Sequence, residues 1–123
     1  MFTKILIVED DVNLAKALSI SLAEEGFKVS IAYDGLEGLS LAEKHQPALI
    51  LCDINMPKMD GLTMLAELRK NDWAKNIEVI MLTNYSDQQN ISQALKHKAF
   101  NYLVKSDWNL EQIVEQVKKK LVI

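Results

Sequence analysis

Cysteine, arginine and long apolar runs are all scarce in this sequence. A single cysteine, Cys52, excludes an internal disulfide and predicts an intracellular, cytoplasmic protein. The apolar stretch near the N-terminus, residues 5–8, is much shorter than a secretion signal or a membrane span requires. Arg69 is the only arginine among fourteen basic residues, which leaves little for bidentate contacts to phosphate or guanine. We therefore expect neither membrane insertion nor direct binding of nucleic acid.

The composition is that of an ordinary globular domain. Apolar residues make up 49% of the 123 residues and charged residues 25%, which argues against a disordered or fibrous chain. The net charge is -3, so no field over the whole domain attracts a polyanion. Repeats and Pro/Gly/Ser-rich linkers are lacking in the sequence, and the length suits one compact unit. We expect a single domain over residues 1–123.

Strand-like and helix-like stretches alternate along the chain. Predicted strands cover residues 4–8, 27–31, 48–52, 77–82 and about 101–104. Each is followed by an amphipathic pattern that predicts a helix. Asp34 with Glu37, and Ser86 with Gln89, have the spacing of a capping box at two of the helix starts. The alternation predicts an α/β fold of the (βα)5 type, in which helices cover a parallel five-stranded sheet.

Polar side chains follow four of the predicted strands. They are Glu9, Asp10 and Asp11 after the first strand, Asp53 after the third, Thr83 after the fourth and Lys105 after the fifth. In open α/β sheets the binding crevice lies beyond the carboxyl ends of the strands. If the first and third strands are neighbours, Asp10 and Asp53 converge, and a cation between them would offset the repulsion. Mg²⁺ prefers such oxygen ligands.

The remaining polar groups suit a bound phosphoryl group. Lys105 supplies a positive charge beside the acids, and Thr83 supplies a short hydroxyl donor. A carboxylate can be the nucleophile in aspartyl-phosphate chemistry, and phosphoryl transfer depends mainly on positioning and charge neutralisation. We therefore assign Asp53 as the acceptor. Asp11 is the better candidate for the cap of the first helix, and Glu9 for the metal side.

Four segments together resemble the receiver domain of two-component response regulators. The resemblance covers essentially the whole chain and rests on residues 5–11, residues 53–61, Thr83 and residues 102–105. It implies a doubly wound, flavodoxin-like fold with the strand order 2-1-3-4-5. It also implies a signalling module and not an enzyme, apart from Mg²⁺-dependent self-phosphorylation and autodephosphorylation.

The resemblance further implies residue roles. Asp53 would receive a phosphoryl group from a sensor histidine kinase or a histidine phosphotransfer protein. Asp10, Asp53 and the backbone carbonyl of Asn55 would bind Mg²⁺, with Glu9 assisting through water. Thr83 and Lys105 would hold the phosphoryl oxygens.

Switching is implied as well. The hydroxyl of Thr83 would move toward the phosphoryl group, and Tyr102 would swing inward. The face formed by the fourth helix, the fifth strand and the fifth helix would then change its preference for a downstream protein target, which the sequence does not name. Homodimerisation through this face is left open.

Two positions depart from the family pattern. Receivers usually have proline after the lysine, in a cis peptide, whereas Ser106 follows Lys105, so the isomer of this bond is left open. Receivers usually have a small residue directly after the position of Thr83, whereas this chain has Asn84 and then Tyr85 there. We hypothesise that they change the lifetime of the phosphoryl group by gating water.

Two other functions compete with the phosphorylated switch. One is a receiver-like interaction adaptor whose output ignores phosphate, although such an adaptor would not need the acids, the hydroxyl and the lysine. The other is a phosphatase similar to the haloacid dehalogenases, which has a second acid two residues after the nucleophile, where this chain has Asn55. The sequence does not decide between a natural single-domain regulator and the excised receiver of a longer protein.

Overall fold

Strands and helices alternate through the computed structural model, which describes residues 2–84, 88–99 and 101–121. Within these residues the strands are β1 (Lys4–Val8), β2 (Lys28–Ala32), β3 (Leu49–Asp53), β4 (Glu78–Thr83) and β5 (Asn101–Val104). The α-helices are α1 (Val12–Glu24), α2 (Gly35–His45), α3 (Gly61–Leu68), α4 (Gln88–Lys96) and α5 (Leu110–Leu121). Short 3-10 turns cover Asp72–Ala74 and Lys105–Asp107. The predicted (βα)5 alternation is confirmed.

The strands form one parallel sheet in the order β2-β1-β3-β4-β5. This confirms the doubly wound fold and the strand order that the resemblance implied. The central strand β3 is buried over its whole length, as a continuous apolar run predicts for a strand covered on both faces. The edge strand β2 is only partly buried. The edge position explains why its sequence alternates more than that of β3.

Alternate side chains of the central strands enter two separate cores. Leu6, Val8, Ile50 and Cys52 pack with residues of α2, α3 and α4 on one face of the sheet. Ile5, Ile7, Leu49 and Leu51 pack with residues of α1 and α5 on the other face. Both cores hold the sheet rigid, so that its carboxyl edge is a fixed platform for polar side chains.

Three predicted strands begin and end one residue too early. Phe27 is not the first residue of β2, because its N–H donates to the Leu22 carbonyl (3.2 Å) and completes the turn after α1. Ile77 likewise donates to the Ala74 carbonyl (3.4 Å), and β4 starts at Glu78. Asp53 and Thr83 are therefore the last residues of β3 and β4 and do not follow them.

One of the two predicted capping boxes lies within the described residues. The Asp34 side chain accepts from the Glu37 N–H (2.8 Å), which confirms the cap of α2. The proposed cap at Ser86 lies outside the described residues, as does Tyr85. Across the described residues, the helices are all too short or too polar to cross a membrane.

Candidate functional site

The register of the sheet brings the predicted site residues to one edge. Val8 pairs with Cys52, so Glu9 and Asp53 follow these residues side by side. Thr83 pairs with Val104, the residue that precedes Lys105. Because parallel strands end at the same edge, residues from four separate chain segments meet there.

Three carboxylates cluster at this edge. One oxygen from each of Glu9, Asp10 and Asp53 lies within 4.8 Å of the others. Glu9 and Asp53 are 2% and 4% exposed, whereas Asp10 faces solvent. Two of the carboxylates that could hold a metal ion are therefore fixed by the fold, and the third lies at the surface, where an ion could enter.

The Lys105 ammonium contacts both buried acids. Its Nζ lies 2.6 Å from Glu9 Oε1 and 3.4 Å from Asp53 Oδ2. The Lys105–Ser106 peptide is trans, which settles the isomer that the sequence left open. Lys105 therefore reaches the acids from a trans backbone. Burial lowers the pKa of Lys105, but its close contact with the Glu9 carboxylate and the charge of Asp53 outweigh burial, so its pKa lies above the usual value.

Burial disfavours the charged form of both acids even with Lys105 beside them. Loss of solvation raises the pKa of Glu9 to about 7 although Lys105 and the Asp11 N–H oppose the shift. Loss of solvation likewise raises the pKa of Asp53, against the opposing charge of Lys105. Glu9 Oε1 is buried, and its close contact with Lys105 lacks the geometry of a hydrogen bond. An all-oxygen donor set with such an atom fits a hard divalent cation such as Mg²⁺.

Asp11 has a different task from its two neighbours. Its Oδ1 accepts from the N–H groups of Asn13 (3.1 Å) and Leu14 (3.2 Å), which confirms it as the cap of α1. Its own N–H donates to Glu9 Oε2 (3.1 Å), and this bond orients the Glu9 carboxylate. The expected division between a capping Asp11 and a site-facing Glu9 matches the geometry.

The other predicted residues surround this cluster. Thr83 is fully buried at the end of β4, and Asn55 is exposed two residues after Asp53. Tyr102 is half-buried on β5 and packs against the core beneath α4. Asn84 is exposed beside Thr83.

The contact that supports the loop after Asp53 was not predicted from the sequence. The Gly35 N–H, at the start of α2, donates to the Met59 carbonyl (3.1 Å). The sequence marked the start of α2 only through its neighbour Asp34, and nothing local indicated a partner 24 residues away.

Comparison with known proteins identifies the family. The family model described as "Response regulator receiver domain" matches residues 5–118. The chain belongs to this family. Receiver domains are signalling domains of two-component response regulators and not enzymes in the usual sense.

Receivers of known sequence and structure are similar over nearly the whole chain. The DNA-binding dual master transcriptional regulator RpaA of Synechocystis is 36% identical over 96% of this chain and 48% of its own length. The Vibrio cholerae chemotaxis protein CheY4 superposes with a TM-score of 0.91 at 28% identity, covering 98% of this chain and all of that one. The phosphorylated cyanobacterial phytochrome response regulator RcpA gives 0.83 at 29% identity, covering 98% and 91%. This receiver spans about half the length of the first curated relatives it matches.

Proposed function

We propose that this receiver is a phosphorylation-controlled switch in which Asp53 accepts a phosphoryl group. The observation that carries the proposal is the cluster of Glu9, Asp10 and Asp53 within 4.8 Å, with Lys105 at 2.6 and 3.4 Å from two of them. An interaction surface has no need of two buried acids and a lysine at a sheet edge, because burying these charges is costly.

Mg²⁺ would be held by Asp10, Asp53 and the backbone carbonyl of Asn55, with Glu9 assisting through water. When bound, the ion neutralises the charge that develops on the phosphoryl oxygens. Burial of Glu9 and Asp53 holds their carboxylates in place, and the exposed Asp10 leaves one side open to the ion and its waters. Glu9 is oriented by the Asp11 N–H, so its carboxylate faces the cluster in advance.

The transfer step is a displacement at phosphorus. A carboxylate oxygen of Asp53 forms the new P–O bond while the P–N bond of a phosphohistidine donor breaks. The electron pair of that bond stays on the imidazole nitrogen. The imidazole leaves as a neutral ring if its other nitrogen carries a proton, and otherwise it takes up a proton as it leaves. Lys105, which lies 3.4 Å from Asp53 Oδ2, would hold a phosphoryl oxygen, and Thr83, the last residue of β4, would hold another.

The same site would control partner binding. Thr83 would move toward the phosphoryl group, Tyr102 would turn inward, and the face of α4, β5 and α5 would favour a different partner. The change is a population shift whose size equals the difference in interaction of the added charge with the two states. The donor would be a sensor histidine kinase or a histidine phosphotransfer protein in the cytoplasm. The similarity to RcpA, whose structure is that of a phosphorylated response regulator, supports this function.

Intact-mass measurement tests the acceptor. The wild-type chain is incubated with a small acyl phosphate and Mg²⁺, and we expect a mass increase of one phosphoryl group. Asp53→Asn replaces the nucleophilic carboxylate by a neutral amide of the same shape and should show no adduct. Asp72→Asn, which changes an exposed aspartate far from the cluster, should be phosphorylated like the wild type.

The outcomes separate the competing functions. A wild-type chain that stays unmodified would refute the switch and favour an adaptor that ignores phosphate. Equal adducts on wild type and Asp53→Asn would move the acceptor to another residue. Turnover of many small organic phosphates would indicate a phosphatase.

A further inference from the structure

The loop between Asp53 and α3, residues 54–60, is attached to the start of α2. The Gly35 N–H donates to the Met59 carbonyl (3.1 Å), and Lys58 Nζ lies 3.6 Å from Asp34 Oδ2. Lys58 itself has a φ of 67°, in the left-handed region, which this attachment helps to hold. The first turn of α2 is therefore the support against which the loop rests.

A side chain at position 35 would not fit against this loop. A Cβ built on Gly35 would overlap the carbonyl oxygen of Met59 and lie 2.9 Å from its Cβ and Cγ. Gly35 is buried and has a helical backbone, so glycine is not required there for an unusual backbone angle. Its lack of a side chain instead allows the loop to pack closely against α2. Backbone cannot yield as the tip of a flexible side chain can.

The loop transmits a displacement because both its ends are fixed. The Gly61 N–H donates to the Ile54 carbonyl (2.7 Å), which closes the loop at its base, and Ile54 is buried. Asn55 follows Ile54 and lies between this closed base and the contact at Met59. A shift of Met59 away from α2 has to be absorbed by the few residues that include Asn55.

We propose that Gly35 is a positioning residue for the metal site, acting through the Met59 carbonyl to place the backbone carbonyl of Asn55. The inference rests on the proposed function, in which that carbonyl is a Mg²⁺ ligand. Partners that orient metal ligands without touching the metal change affinity by roughly 10–100-fold when they are altered. Gly35 contributes geometry and no charge.

Calorimetric titration with Mg²⁺ tests the proposal with two matched variants. Gly35→Ala should weaken Mg²⁺ binding about 10-fold, although alanine favours a helical position by up to about 1 kcal/mol. Gly38→Ala makes the same change one turn later in α2, where the new Cβ meets the Met64 sulfur (2.7 Å) and Val8 (3.1 Å) instead of the loop. This control should lower the urea midpoint of unfolding and leave Mg²⁺ affinity close to that of the wild type. Wild-type affinity in Gly35→Ala, or an equal loss in both variants, overturns the proposal.

Hydrogen exchange provides a measurement on the unaltered chain. Linkage is reciprocal, so if the Gly35 bond supports the metal site, Mg²⁺ must in turn protect the Gly35 N–H. The Gly38 N–H, which donates to the Asp34 carbonyl within α2 (2.9 Å), should show no comparable change. Unchanged protection of Gly35 on adding Mg²⁺ contradicts the inference even if the alanine variant does not fold.

Failure of this inference is distinguishable from failure of the proposed function. A wild-type chain that binds Mg²⁺ and accepts phosphate, with a Gly35→Ala variant that does so equally well, removes only the role of Gly35. A wild-type chain that binds no Mg²⁺ removes both.

Discussion

Two buried carboxylates, Glu9 and Asp53, share the ammonium of Lys105 at 2.6 and 3.4 Å. Lys105→Met would leave both acids without their cation, so one of them must take up a proton or remain an unpaired charge. We expect a loss of about 3 kcal/mol in the free energy of unfolding without Mg²⁺, because removing one partner of a buried ion pair costs roughly 3–5 kcal/mol. Urea denaturation near neutral pH measures the loss, and Mg²⁺ should reduce it.

Lys58→Met is the matched control for this prediction. Lys58 also faces an aspartate, Asp34, but at 3.6 Å and with 68% of its side chain exposed. Its removal should cost no more than about 0.5 kcal/mol, since solvent screens exposed pairs. Equal losses of unfolding free energy in the two variants would show that the buried contacts of Lys105 contribute no more to stability than an exposed ion pair does.

The site residues differ in how far sequence can predict them. Sequence predicts that Asp53 and Thr83 lie at the carboxyl edge of the sheet, because each comes at the end of an apolar run. The prediction holds even though each strand end was misplaced by one residue. Asp11 could be separated from Glu9 by helix capping, which is a local rule. The contact of Gly35 with Met59 could not be found, because no local pattern encodes a bond between a helix start and a distant loop.

At the scale of elements, the end of α4 depends on the only arginine. Arg69, just after α3, donates to the carbonyls of His97 (2.8 Å), Lys98 (3.3 Å) and Ala74 (2.7 Å). Lys98 has a φ of 64° in the turn that ends α4, where glycine is more usual. The guanidinium thus holds a turn whose sequence does not favour it.

Arg69→Met should loosen this turn more than it disturbs the sheet. We expect a loss of about 2 kcal/mol in unfolding free energy, since hydrogen bonds from a charged donor contribute roughly 1.5–3 kcal/mol and this one is only half-buried. Hydrogen exchange at Ala99, whose N–H bonds to the Ala94 carbonyl (2.9 Å), should accelerate. Lys70→Met removes the neighbouring exposed charge, and unchanged exchange at Ala99 is expected there. Equal acceleration in both variants would assign the effect to charge and not to the guanidinium contacts.

Strand boundaries were predicted to within a residue because the apolar runs of the strands are short and are bounded by polar residues or turns. Two of the three errors fall where the first apolar residue belongs to the preceding turn: Phe27 donates to the Leu22 carbonyl and Ile77 to the Ala74 carbonyl. The long-range role of Arg69 could not be predicted from sequence, since its partner His97 is 28 residues away. A long polar side chain such as Arg69 can reach several elements, and which carbonyls it contacts depends on how those elements pack together.

At the scale of the whole molecule, alternation of strands and helices predicts a parallel sheet but not the order of its strands. The order depends on which way each crossover turns, and it came from the family resemblance. The observed order puts β1 beside β3, and this neighbourhood is what joins Glu9 and Asp10 to Asp53. The acidic cluster is therefore a property of the complete fold, and the unfolded chain has no equivalent.

Mg²⁺ should consequently stabilise the whole receiver against unfolding. A ligand that binds only the folded state at a hundredfold excess over its Kd adds about 2.7 kcal/mol. Thermal denaturation with and without Mg²⁺ should show a higher Tm with the ion, and Asp10→Asn should reduce the gain because it removes a carboxylate from the cluster. Asp11→Asn makes the same charge change at the next residue, keeps a competent helix cap and should retain the gain. A Tm that Mg²⁺ leaves unchanged, or an equal reduction in both variants, would mean that the acids do not form an ion site and that their proximity has another cause.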